Sequence, residues 1–416
     1  MVEKQPVLNV IDEYLSKNDL KRAEVAIAKA LRSDPLHENK AEILIRRARV
    51  RLLSGRPEDA LDDLQAVRES QAHNETPGYL ELLADCFLAR FELAPLGFAD
   101  RSWVSQAQQY YQQILDGFPD YTNAGWVWYQ LGRIAVILDQ VDLAIHRFHR
   151  SFLAPTTVQA LTAFCYERLG FIAFYEKRDL TTALGFLNRA VDTYPASEPR
   201  GWLAQVHLRR SRVLRQMQNY SAALDAAEKA LSMAMGSGEA RSGLAETLIT
   251  LAEILSSIGN RDREVIGHLQ HFLQISKRPL GVDVTWSRVY EMLGDAYLNS
   301  GEYVLAVDAY RLALQFNPDH PWEASLQYRL AKGLYQTGSY AEAEQILSHI
   351  VGEMFSDNLM LSDYRVYELL GSAQFAQSKY ETAIATYEKA LSCDPPAANS
   401  DRIRTYLECA RERLTG

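Results

Sequence analysis

At 416 residues the chain could hold two or three ordinary domains, and its 47% apolar and 23% charged residues can build a large core. Its 44 basic and 53 acidic residues leave a net charge of −9, which argues against a chain-wide nucleic-acid surface, where a basic excess is expected. Cys86, Cys165, Cys393 and Cys409 form no CxxC pair, so they are expected as small apolar residues in a reducing, cytoplasmic compartment.

The first residues, MVEKQPVLNVIDEYL, carry Glu3 and Asp12 and no long apolar run, so no signal peptide is expected. A set of three core-type residues at i, i+4 and i+7, opened by alanine, then recurs along the chain. It appears as Ala23, Ile27 and Ala30, closed by Pro35, and again as Ala60, Leu64 and Val67. The next set arrives late, at Ala107, Tyr111 and Ile114 before Pro119, after an apolar insertion over residues 92–104. Such an insertion in a turn is expected to fold over the edge of its neighbours, with a partner contact as the alternative. The apolar stretch around Trp126 is short and holds Arg133, so it is not a membrane span. Further sets follow at Ala144, Phe148 and Ser151, at Ala183, Leu187 and Ala190, and at Ala223, Ala227 and Ala230. After residue 245 one repeat fits poorly, and its second helix is expected a residue or two off register.

The fullest unit starts at Ser287. Counting Ser287 as position 1, it has Tyr290 at 4, Leu293 at 7, Gly294 at 8 and Tyr297 at 11. Ala306 follows at 20, Tyr310 at 24, Ala313 at 27 and Pro318 at 32. The unit from Tyr364 repeats this set with Tyr367, Leu370, Gly371, Ala383, Tyr387, Ala390 and Pro395, and departs only at Gln374. Positions 4, 7 and 11 share one face of a first helix, and 20, 24 and 27 one face of a second. Small residues at 8 and 20 let the two backbones approach. Glycine near 15, such as Gly301, permits the turn, and proline at 32 stops the second helix.

These residues at these positions resemble the tetratricopeptide repeat. The resemblance implies an all-α fold, a right-handed α-superhelix of antiparallel helix pairs. It extends over residues 1–398 as about ten units, starting near Lys4, Ala41, Pro77, Gly125, Ala163, Ala204, Ala245, Ser287, Ala324 and Tyr364. Residues 399–416 carry Ile403, Tyr406, Leu407, Ala410 and Leu414 on one face and a charged back, as expected of a C-terminal capping helix.

No phosphate loop is present. GSGEARSG, near residue 240, lacks the lysine. The pairs His146/His149 and His268/His271 have no third ligand beside them, so no metal site is expected. The expectation is a chain with no catalytic residues, no cofactor, no nucleic-acid partner and no membrane span.

In tetratricopeptide arrays the first helices line a concave groove. The resemblance therefore implies binding residues at Trp126, Tyr129 and Arg133 of the fourth repeat and Arg168, Phe171 and Tyr175 of the fifth. Arg209, Arg212 and Arg215 of the sixth complete the set. Groove-facing charges of these repeats sum to +4, against −3 from Glu246, Glu253, Arg288, Glu291 and Asp295 of the next two. Arginine forks and aromatic rings suit a protein segment with acidic and apolar side chains. Asn9 and Arg46 resemble half of the carboxylate clamp that holds a chaperone's C-terminus, but Glu42 stands where a lysine is needed. The implied role is a non-catalytic interaction scaffold, alone or as a regulatory subunit of a larger assembly. The alternative is a peptide- or ligand-sensing switch protein.

Overall fold

The alanine-led sets all fall on buried helix faces: Ala23, Ala60, Ala107, Ala144, Ala183, Ala223, Ala306 and Ala383 have no exposed surface. The computed structural model describes residues 6–33, 39–70, 76–95, 98–236, 241–352 and 363–415. Lys4, Pro35 and part of GSGEARSG lie outside them. Among the described residues there are 21 α-helices and no strand.

Two compact bodies divide the chain, Met1–Glu198 and Pro199–Gly416. The first holds α1 (Pro6–Ser16), α2 (Leu20–Ser33), α3 (Lys40–Leu53), α4 (Pro57–Glu69) and α5 (Pro77–Leu93). It continues with α6 (Arg101–Gly117), α7 (Ala124–Ile137), α8 (Val141–Leu153), α9 (Leu161–Tyr175) and α10 (Leu180–Thr193). The second opens with α11 (Gly201–Gln216), α12 (Tyr220–Gly236), α13 (Arg241–Ile258), α14 (Asp262–Ile275) and α15 (Val284–Asn299). Then come α16 (Tyr303–Phe316), α17 (Glu323–Gln336), α18 (Tyr340–Gly352), α19 (Tyr364–Ala376), α20 (Tyr380–Ser392) and α21 (Ala397–Thr415). Within each body every helix packs on the one before and the one after it, as in an α-solenoid.

The turn inside a pair has one recurring form. Gly301 has φ +78°, its N–H reaches the Leu298 carbonyl, and Glu302 N–H reaches the Tyr297 carbonyl. This left-handed C-cap satisfies two of the carbonyls that a helix end leaves open. In other repeats Asn18, Asp139, Arg178, Gln218 and Ser378 take the same left-handed conformation, so the turn tolerates side chains. Second helices start on aspartate caps where one is available: Asp100 accepts from Ser102 N–H, and Asp179 from Thr182 N–H.

The seventh repeat is off register as expected, and the insertion needs a correction. In the seventh repeat the buried set is Val265, Leu269 and Phe272, one residue later than the alanine register, with valine taking the small position. The insertion over residues 92–104 is not one loop. Helix α5 runs through Leu93, α6 already starts at Arg101, and Val104 is fully buried in it. Longer helices absorb much of the extra sequence.

The last helix, α21, sets Ile403, Leu407 and Ala410 against Ala383, Tyr387 and Ala390 of α20. Its remaining face carries Arg404, Glu408, Arg411 and Glu412 in the open.

Candidate partner-binding faces

Residues expected on one groove fall into the two bodies. Trp126, Tyr129, Arg133, Arg168, Phe171 and Tyr175 belong to α7 and α9 of the first, and Arg209, Arg212 and Arg215 to α11 of the second.

In the first body the aromatics divide by role. Trp126 stacks on Tyr129 at 5.2 Å between centroids. Tyr129, expected in the open, is only 6% exposed, because its ring is wedged against Phe148 and Phe164 at 5.7 and 6.1 Å. It is packing between neighbouring repeats. At the end of α9 the outcome is different. The Tyr175 ring lies 4.6 Å from both Phe171 and Phe174 and is itself 47% exposed. The Arg168 guanidinium sits 6.0 Å from the Phe171 ring, and its Nε lies 3.1 Å from Glu167. Helical spacing of three and four residues brings these four side chains onto one patch.

The arginines are engaged within the chain. Arg133 pairs with Glu92 and donates to Gln130 Oε1 at 2.8 Å. Arg212 donates to Glu246 Oε1 at 2.7 Å, and Arg215 pairs with Glu253 at 3.0 Å. The mostly buried Glu253 also holds Arg288 at 2.8 Å. Farther along, Arg329 of α17 reaches both Glu291 and Asp295 of α15. Arg209 lies on the same stripe of α11, half-buried. Arg212 and Arg215 of the positive stretch and Glu246 and Glu253 of the negative one, read separately from the sequence, are thus partners across α11 and α13. Arg46 is engaged too, donating twice to Asp12 at 2.8 Å.

Sequence reasoning missed Trp322. It is exposed in the turn before α17 and lines a hollow of about 450 Å³ with Arg215, Arg288, Glu291 and Met292. A tryptophan between a proline and a helix start was the available signal. No group of His, Cys, Asp and Glu that could hold a metal occurs among the described residues. None of the described helices is long and apolar enough to cross a membrane.

Tetratricopeptide repeat family profiles match residues 287–320 and residues 328–398, which cover most of α15 to α20. The same pair geometry recurs through both bodies. The chain is a tetratricopeptide repeat protein. Among solved structures the array is similar to the apo form of RapI, with 12% identity and a TM-score of 0.55 over 85% of this chain and 97% of that one. It is also similar to MamA, at 20% identity and TM-score 0.38 over 47% of this chain and 93% of that one. For the yeast Sti1 TPR2AB domain in complex with pHSP90 the values are 16%, 0.26, 60% and 98%. At these identities the likeness concerns the fold. No curated protein matches the chain in sequence.

Proposed function

We propose that this tetratricopeptide array is a non-catalytic scaffold or regulatory subunit that holds a segment of another protein on its first-helix faces. The α9 patch carries the proposal. Phe171, Phe174 and Tyr175 offer rigid apolar area at the surface, Arg168 stands beside them, and clustered aromatics with an arginine are what binding hot spots use. Because Arg133, Arg168, Arg212 and Arg215 all stand beside carboxylates of the chain, the partner's apolar side chains supply most of the binding, and an acidic one shares Arg168 with Glu167.

Co-purification of the tagged protein from its own host, followed by mass spectrometry, tests this with Tyr175→Asp, a change at an exposed ring. The variant should lose partners that the parent retains while keeping its unfolding temperature within a few degrees. An unchanged partner set with normal stability would show the patch to be an ordinary solvated face.

A further inference from the structure

On the first body, residues of α4 and α5 with Tyr110 of α6 line an open groove of about 600 Å³. Its apolar part includes Tyr79, Leu83 and Phe87, one helical turn apart on α5. Leu61 of α4 adds to it, and Tyr110 stacks on Phe87 at 5.9 Å between centroids. The remaining lining sets three carboxylates against two guanidiniums, with Gln65 beside them. Helix α4 presents Glu58, Asp62 and Glu69 to the groove, with Arg68 as its one cation. Arg90 is already committed, bonding Glu58 at 2.9 Å and covering the Trp103 ring at 4.1 Å. Asp62 and Glu69 are exposed and make no ion pair with a described residue. Glu58 and Arg90 also line a second hollow, of about 590 Å³, where Leu93 and the 76% exposed Phe98 leave apolar surface open.

We propose that this groove is a second docking surface, separate from the α9 patch. Its occupant is an amphipathic helix of another protein, apolar along one face and bearing lysine or arginine along the edge that meets α4. The one-turn spacing of Tyr79, Leu83 and Phe87 is the ridge period that a helix laid alongside can match. Glu58, Asp62 and Glu69 at i, i+4 and i+11 share one stripe of α4, so their charges face the same edge of the occupant.

Because the chain as a whole carries −9, attraction to cations must be separated from docking at this place. Anisotropy titrations on the full chain would use a fluorescein-labelled helical peptide of leucine and lysine, and its leucine–glutamate counterpart. The lysine peptide should bind and the glutamate peptide should not. Asp62→Lys with Glu69→Lys should weaken binding about tenfold or more, since attraction becomes repulsion. The charge-matched pair Glu408→Lys with Glu412→Lys on α21 should change it less than about twofold. Equal weakening by the two pairs, equal binding of both peptides, or no binding of the lysine peptide would each overturn the proposal.

Discussion

The ring of Tyr310 occupies the space where a β-carbon on Gly294 would stand, with Cε1 only 2.5 Å from that point. Gly371 has the same relationship to Tyr387 at 2.7 Å, and Gly132 to Phe148 at 2.6 Å. The glycine at position 8 is therefore set by the ring at position 24. The Tyr310 hydroxyl passes over the first helix and donates to Asp295 at position 9, at 2.7 Å. Tyr111 and Asp85 pair in the same way in the third repeat, and Tyr387 bonds Ser372 in the tenth.

Gly294→Ala should destabilise the second body by about 1–3 kcal/mol, because a buried ring and a helix backbone would have to part. Gly267→Ala in α14 meets open space and should raise stability by up to about 1 kcal/mol through helix propensity. Urea unfolding of both variants checks the pair. Similar values for the two would mean that the glycine acts through propensity alone.

Arginine–carboxylate pairs should divide by burial of the carboxylate. Asp63 of α4 is buried and receives Arg47 at 2.5 Å and Arg51 at 2.7 Å. Asp63→Ala leaves two cations facing each other and should cost roughly 2–3 kcal/mol. Arg212→Glu replaces an ion pair with Glu246, whose own side chain is exposed, and should cost about 1 kcal/mol or less. Thermal unfolding of the two variants measures the contrast.

Much of the fold was legible because the repeat is written in residue sizes. Alanine at 20, a large residue at 24 and a small one at 27 mark a second helix wherever they occur, and most helix pairs stand where that spacing puts them. The seventh repeat blurred because Val265 fills the alanine place one residue later, and size patterning cannot count a one-residue shift. The candidate site was less legible. The sequence showed that Arg212 and Arg215 would share a first-helix face, but their partners lie 34 and 38 residues away, beyond any helical period. Tyr129 and Tyr175 look alike in sequence. Burial separates them, because Phe148 and Phe164 enclose only Tyr129.

Deleting α21 should expose Ala383, Tyr387 and Ala390, which now pack on Ile403, Leu407 and Ala410. An open apolar face of that kind promotes association, so the truncated protein should bind a hydrophobic dye and scatter light at concentrations where the parent does not. Equal solubility and equal unfolding temperature would show that α21 is not needed as a cap.

The last prediction concerns pH and the carboxylate of Glu81 on α5, which is 8% exposed. It accepts from the Tyr121 hydroxyl at 2.9 Å and from Asn123 Nδ2 at 3.0 Å, while Asn123 Oδ1 accepts from Thr157 N–H at 3.2 Å. A single network thus joins α5 to the starts of α7 and α9 within the first body. Burial pushes the Glu81 carboxyl up to about 7, and the neighbouring Asp85 carboxylate adds to the shift. The hydrogen bonds from Tyr121 and Asn123 and the charge of Arg49 oppose it. Burial also raises Asp85, in the same direction. A raised carboxyl is protonated more in the folded than in the unfolded chain between its ordinary value of 4.5 and about 7. Stability from this group is therefore fully present below about 4.5 and is lost as pH rises through 7, about 3 kcal/mol in all. Glu81→Gln keeps the shape and cannot ionise. The stability difference, parent minus variant, should therefore fall by a comparable amount between pH 5 and pH 8. Urea unfolding of both proteins at a series of pH values measures it. A difference that stays constant across that window would mean that Glu81 titrates at its ordinary value and that the network holds a charged carboxylate without cost.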